Sequence, residues 1–257
     1  MLTSNINYKN FNNLKKKKSK KFSKENWFKE IKLLDSLKSN YKYSYSKNQI
    51  KKIKKDKCFR LIGIGGSTLG AEAIYQFLNH KIKKKFIFVN NLNPKLESFK
   101  KKIKATNIII SKSGNTLETI ANSNLLIKKN KNIFITENKK SYLSNLAHSL
   151  KADIIEHKNY IGGRYSVLSE VGMLPAEIMG LNEKKFKRFN YLINNENFLN
   201  ELIKNVYSIL KFVKEKKFNS IILNYDCNSE NLFKWYQQLV AESLGKKSKG
   251  ILPIISS

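Results

Sequence analysis

Apolar positions are unevenly arranged along the chain. Residues 1–24 are polar and lysine-rich without periodicity, which reads as an arm. Trp27, Phe28, Ile31, Leu34 and Leu37 then fall at helical spacing and predict a helix over 24–37. From Phe59 onward, short apolar runs alternate with stretches of helical period. Strands are expected over 59–64, 86–89, 107–110, 133–135 and 152–155, with helices over 68–78, 96–103, 117–128 and 142–147. Alternating strands and helices imply parallel pairing through crossover connections. The expected architecture is α/β, a doubly wound parallel sheet sandwiched by helices.

Beyond it, helices are expected over 166–179, 183–195 and 197–216, a strand over 220–223 and a helix over 229–244, before the sequence ILPIISS. One strand and one helix cannot make a sheet, so this part reads as an incomplete second α/β domain. The organisation expected is a basic arm and helix over 1–50, a first domain over 51–180, and a helical connection with the start of a second domain over 181–257.

Composition narrows the function classes. With 257 residues and 41% hydrophobic content, the chain can bury a substantial core. No apolar run approaches the roughly 18 residues of a membrane span, and MLTSNINYKN lacks the charged-then-apolar order of a signal peptide. The expected location is the cytoplasm, away from the membrane. Cys58 and Cys227 form no metal or redox pattern and read as small buried apolar residues. A net charge of +31 raises nucleic-acid binding as a reading. Yet only Arg60, Arg164 and Arg188 are arginines, and base recognition favours the planar guanidinium. The lysines are spread along the chain as on a solvated surface, so nucleic acid is not the expected partner.

In open α/β sheets, ligands bind beyond the carboxyl ends of the strands. The loop Gly63-Ile64-Gly65-Gly66-Ser67-Thr68-Leu69-Gly70 follows a strand and opens a helix. It suits an anion, or is simply a tight turn that needs glycine. The loop Ser111-Lys112-Ser113-Gly114-Asn115-Thr116 has the same setting. Its hydroxyls, amide and Lys112 suit a phosphate monoester; the alternative is helix capping. It contains no acidic residue for Mg²⁺, which points to holding a phosphate rather than transferring it. In Ile161-Gly162-Gly163-Arg164-Tyr165-Ser166, an arginine in an arginine-poor chain follows two glycines. Arg164 could stabilise an oxyanion without acting as an acid, or be a surface residue beside a turn. Gln238 and Glu242 are four apart and share a helix face, with Trp235, Leu239 and Ser243 near it. A carboxylate among apolar groups suits a general base; a lone helical glutamate is ordinarily solvated.

Taken together, GIGGSTLG at 63–70, SKSGNTLET at 111–119, GGRYSVLSEVG at 162–172 and WYQQLVAESLGKKSKGILP at 235–253 resemble the glucose-6-phosphate isomerase family, in the family's order, over about residues 55–257. The resemblance implies a sugar-isomerase-type fold and interconversion of glucose 6-phosphate and fructose 6-phosphate through a cis-enediolate, without a cofactor. It assigns Ser67, Ser111, Ser113 and Thr116 to the substrate phosphate, with Lys112 nearby and Gly66 allowing close backbone approach. Gln238 and Gly163 match substrate contacts, Arg164 the arginine facing the enediolate, and Glu242 the base that moves a proton between C2 and C1.

The family also uses a histidine after the ESxGK helix, supplied by the partner subunit of a homodimer, and a lysine near its C-terminus. His80, His148 and His157 precede the required position. The resemblance therefore implies a C-terminally truncated form of the family. The alternative is a non-catalytic sugar-phosphate-binding protein on a sugar-isomerase domain.

Overall fold

The computed structural model describes residues 31–93, 103–127, 131–188, 192, 195–246 and 249–256. Strands β1 (Cys58–Ile62), β2 (Lys85–Val89), β3 (Thr106–Ile110), β4 (Asn132–Thr136) and β5 (Asp153–Glu156) form one parallel sheet in the order β2-β1-β3-β4-β5. Successive side chains of a strand point to opposite faces, and both faces are buried. Phe59, Leu61, Ile108, Ile110, Ile133 and Ile135 pack on one side with residues of α1 (Lys47–Ile53), α2 (Leu69–Phe77) and α5 (Glu170–Ile178). Ile62, Ile109 and Phe134 pack on the other with residues of α3 (Leu117–Leu126) and α4 (Tyr142–Ser149). The α/β expectation holds. Strand order reverses between β1 and β3, so the loops after these strands flank the topological switch point.

Differences from the sequence reading have local causes. β1 ends at Ile62: the Gly63 amide still donates to the Val89 carbonyl at 3.1 Å, and the chain then turns into the 3₁₀ helix Gly65–Ser67. Helix α1 was not expected; Ser46 and Gln49 form a capping box at its start. The expected helix over 24–37 lies largely outside the described residues, and its remainder, Lys32–Leu37, is a 3₁₀ helix. The expected helix over 96–103 falls almost wholly outside them. A 3₁₀ helix, Gly163–Leu168, precedes α5, whose first turn is capped by the Ser169 side chain. Over 183–195 the described residues include a 3₁₀ helix, Glu183–Lys187, and one α-helical residue, Leu192.

Helix α6 (Glu196–Lys214) leads into β6 (Asn219–Leu223), α7 (Glu230–Leu244) and β7 (Leu252–Ser256). β6 and β7 pair in parallel, with Ile221 beside Ile254. This corrects the expectation of a lone strand: most of ILPIISS is a strand, and α7 is the crossover between two parallel strands. Ile221, Leu223, Leu252 and Ile254 face outward and are exposed, whereas Pro253 is buried. Among the described residues no helix is long and apolar enough to cross a membrane.

The segment before α1 is clasped to α5 by polar contacts. Glu170 is fully buried. Its carboxylate accepts from the Tyr41 hydroxyl at 2.9 and 3.0 Å, the Ser44 amide at 3.0 Å and the Ser44 hydroxyl at 3.2 Å. The Lys187 ammonium lies over the rings of Tyr41 and Tyr43, 4.6 and 4.4 Å from their centroids. Removing a donor from a buried carboxylate costs about 1–3 kcal/mol. Tyr41→Phe is therefore expected to lower the free energy of urea unfolding by that amount, and an unchanged value would contradict the clasp.

Burial pulls Lys187 down to about 8, with Glu170 and Glu183 opposing the shift. An unfolded lysine keeps its proton to about 10.4. Between those values the unfolded chain binds more protons than the folded one, so the contribution of Lys187 to stability rises with pH across that window. Urea melts at several pH values should show the unfolding free energy of the native chain gaining on that of Lys187→Met from about pH 8 to about pH 10. A constant difference would refute the burial of this charge.

Candidate active site

The candidate residues lie on three segments beyond the carboxyl ends of the strands, of which the first and the third meet at the Gly163–Arg164 turn. The first is the loop after β1, whose residues Gly65–Ser67 form a 3₁₀ turn. A Cβ at Gly66 would stand 2.6 Å from the Arg164 amide nitrogen and overlap the Gly163 carbonyl. Only glycine permits this backbone-to-backbone approach. The Ser166 hydroxyl secures the same turn by donating to the Gly163 carbonyl at 2.6 Å. Gly163 itself faces open space, with nothing within 4 Å of where a Cβ would stand.

The second segment is the loop after β3. Gly114 has φ of +69° and packs against Ser141 where a side chain would stand. The Ser111 and Thr116 hydroxyls are 2.8 Å apart, and Ser111 Oγ accepts from the Gly114 amide at 3.2 Å. Thr116 occupies the N-cap position of α3, but its side chain makes no capping bond. Capping therefore does not account for this threonine. Ser113 is exposed, and its Oγ accepts from the Asn115 amide at 3.2 Å. The Lys112 ammonium donates to the Asn159 carbonyl at 2.7 Å and lies 3.7 Å from Glu137. It is tied to the loops after β4 and β5.

The third segment is α7. The N-cap residue before it, Ser229, supplies no side-chain cap. Gln76 of α2 supplies one instead, accepting from the Asn231 amide at 2.9 Å and donating to the Cys227 carbonyl at 2.7 Å. Further along α7, Trp235 Nε1 donates to the Arg164 carbonyl at 3.3 Å. These contacts bring the last turns of α7 against the Gly163-Arg164 turn.

Arg164 and Glu242 meet there. Arg164 Nη1 donates to Glu242 Oε2 at 3.2 Å, and Gln238 Nε2 donates to Glu242 Oε1 at 2.8 Å. The shared face expected of Gln238 and Glu242 is present. Of the two surroundings weighed for the carboxylate, apolar and solvated, the structure shows the second: the Glu242 side chain is 48% exposed, and its partners are polar. It sits in the last helical turn, where the helix dipole disfavours negative charge, so Arg164 serves as its counterion. Gln238 Oε1 is buried without a partner. A buried unpaired acceptor is costly, and a hydroxyl group entering the site would satisfy it.

Two neighbours of Arg164 escaped the sequence reading of its surroundings. Arg164 Nε donates to Ser243 Oγ at 3.0 Å, and the Tyr165 hydroxyl lies 2.6 Å from that oxygen. Tyr165, and then Glu242, hold the Arg164 guanidinium above its usual range, while the Ser243 hydroxyl, and then Arg164, hold the Tyr165 phenol below its own. Among the described residues no group of three or more His, Cys, Asp or Glu is placed to hold a metal ion.

Residues 32–251 match the model of the family described as phosphoglucose isomerase. Glucose-6-phosphate isomerase of Methanocaldococcus jannaschii is 33% identical over 212 residues, covering 76% of this chain and 52% of that protein. Glucose-6-phosphate isomerase of Mycoplasmopsis synoviae is 33% identical over 264 residues, covering 92% of this chain and 61% of that protein. The chain thus spans little more than half the length of these curated relatives. Among solved structures, a hypothetical protein of Thermus thermophilus superposes with a TM-score of 0.72 at 21% identity, over 87% of this chain and 60% of that one. Tagatose-6-phosphate ketose/aldose isomerase of Escherichia coli superposes with a TM-score of 0.54 at 14% identity, over 90% of this chain and 63% of that one. These structures share the fold. The match across 32–251, with the two relatives at 33% identity, places the chain in the phosphoglucose isomerase family.

Proposed function

We propose that this site interconverts glucose 6-phosphate and fructose 6-phosphate by proton transfer through a cis-enediolate. The observation that carries the reading is the Arg164–Glu242 pair, joined by Gln238 and set beside the loop after β1. Aldose-to-ketose conversion removes a proton from the carbon next to a carbonyl and returns it to the neighbouring carbon. A carboxylate can do both, and Glu242 is the carboxylate at this position. The intermediate carries negative charge on oxygen. A guanidinium that cannot lose its proton stabilises it without competing for the proton in transit. The chemistry requires neither metal nor nicotinamide.

Ser67, Ser111, Ser113 and Thr116 serve the phosphate in this reading. The loop after β3 opens α3, whose uncapped first-turn amides favour an anion. Lys112 adds positive charge at the rim. Gly66 lets the Gly163–Arg164 turn approach the loop after β1, Gly163 leaves open space for the sugar, and Gln238 takes a sugar hydroxyl. Anchoring the phosphate at a distance from the reacting carbons lets its binding energy position them.

The same reading places the protein in the cytoplasm, with a sugar phosphate as ligand and a second copy of the chain as partner. Nucleic acid has no part in it, and the lysines act as a solvated surface. Residues 51–180 form the first sugar-isomerase domain, 181–257 form the connection and start of the second, and 1–50 carry the basic arm and helix.

A coupled assay of fructose 6-phosphate formation tests the roles. Glu242→Gln should lower kcat by about 10²- to 10⁴-fold, with calorimetric affinity for fructose 6-phosphate nearly unchanged. Equal turnover by the native and variant chains would remove Glu242 as the base. Arg164→Lys keeps the charge but loses the planar fork, and should lower kcat by about 10²-fold. An unchanged kcat would remove the oxyanion role. Binding of fructose 6-phosphate by the native chain without turnover would instead support a sugar-phosphate-binding role.

A further inference from the structure

Arg164 is the group on which the proposed chemistry makes the strictest geometric demand. A guanidinium on a flexible stem rotates about its last bonds, and stabilising a planar enediolate requires its plane to be fixed in advance. The salt bridge to Glu242 cannot fix it alone. That pair is partly exposed, and the carboxylate must exchange its contact with Arg164 for the substrate during turnover.

The structure supplies a second restraint on the opposite edge of the guanidinium. Arg164 Nε donates to Ser243 Oγ at 3.0 Å. The Tyr165 hydroxyl lies 2.6 Å from the same oxygen. The Tyr165 ring centroid is 4.9 Å from Arg164 Cζ. A serine hydroxyl has one proton and two acceptor lone pairs. Whichever of Ser243 and Tyr165 donates to the other, one lone pair of Ser243 remains for the Arg164 Nε–H. A serine within a helix commonly turns its proton to the carbonyl one turn back. Here the hydroxyl contacts of Ser243 reach across to residues 164 and 165. Ser243 directly follows Glu242, so one helical turn delivers both the base and the group that orients its counterion.

We propose that Ser243, braced by Tyr165, is a positioning residue that fixes the plane of the Arg164 guanidinium relative to Glu242. The proposal rests on the isomerase reading for its catalytic meaning. The geometric part stands without it. Nε is held by Ser243 and the face by the Tyr165 ring, so the Nη edge keeps its orientation when Glu242 leaves it for the substrate. Tyr165 acts through Ser243 and the guanidinium, and needs no contact with the reacting carbons.

The composition of the chain makes a direct test practical. Only three arginines are present, so a sample labelled with ¹⁵N-arginine gives three Nε–H signals, assignable with Arg60→Lys and Arg188→Lys. Ser243→Ala should speed exchange of the Arg164 Nε–H with water by about tenfold or more, as expected for loss of one hydrogen bond to a charged group. The other two signals should be unaffected, Ser243→Thr should restore the slow exchange, and Tyr165→Phe should fall between. In the coupled assay, Ser243→Ala should lower kcat by about 10- to 100-fold with KM little changed, and Ser243→Thr should recover most of the loss. Unchanged Nε–H exchange in Ser243→Ala would overturn the proposal, as would equal kcat losses in the alanine and threonine variants or an effect confined to KM. If the native chain turns over no sugar phosphate, the isomerase reading fails. The exchange rates then still decide whether Ser243 positions Arg164.

Discussion

The contact between Gly66 and the Gly163–Arg164 peptide is the constraint on which the site depends. It joins the loop after β1 to a turn about a hundred residues later, at a distance that no side chain on Gly66 would allow. With that turn seated, the Arg164 carbonyl is available to Trp235 and its guanidinium to Glu242 and Ser243. Gln76 then fixes the start of α7 from α2. The helix is thus held near both ends, and its last turn is set against the turn that seats on the loop after β1. The five-stranded sheet supplies rigidity, and the candidate site residues lie on the loops and the helix end beyond it.

Much of this was legible in the sequence, for identifiable reasons. β1, β3 and β4 are buried on both faces and read as short, mainly apolar runs, and their alternation with helical stretches implied parallel pairing. The loops 63–70 and 111–116 were legible as strand-to-helix connections because glycines and small polar residues interrupt the apolar pattern there. Helix α1 was not, because seven residues with two buried isoleucines among lysines make no periodic signal; its one mark was Ser46 followed by Gln49. β7 was missed because it contains Pro253 and is half exposed, and because its partner β6 lies some thirty residues away.

The site was legible as a set of residues and not as an arrangement. Gln238 and Glu242 share a face because helical spacing requires it. That Glu242 meets Arg164, and is not lodged among apolar groups, depends on how α7 docks, which no local pattern encodes. The contacts of Ser243 and Tyr165 with the guanidinium have the same origin. So does the tie of Lys112 to Asn159 and Glu137, residues of two later loops.

The central claim is that one ligand spans the loop after β3 and the Arg164–Glu242 pair, its phosphate at the first and its reacting carbons at the second. A nuclear magnetic resonance titration of the native chain with inorganic phosphate and then with fructose 6-phosphate tests this most directly. Both ligands should shift the amides of Ser113, Gly114, Asn115 and Thr116. Fructose 6-phosphate alone should also shift the Arg164 Nε–H and the Gln238 side-chain amide. Fructose 6-phosphate that moves neither region at saturation, or moves the loop after β3 while leaving Arg164 and Gln238 unchanged, would contradict the account.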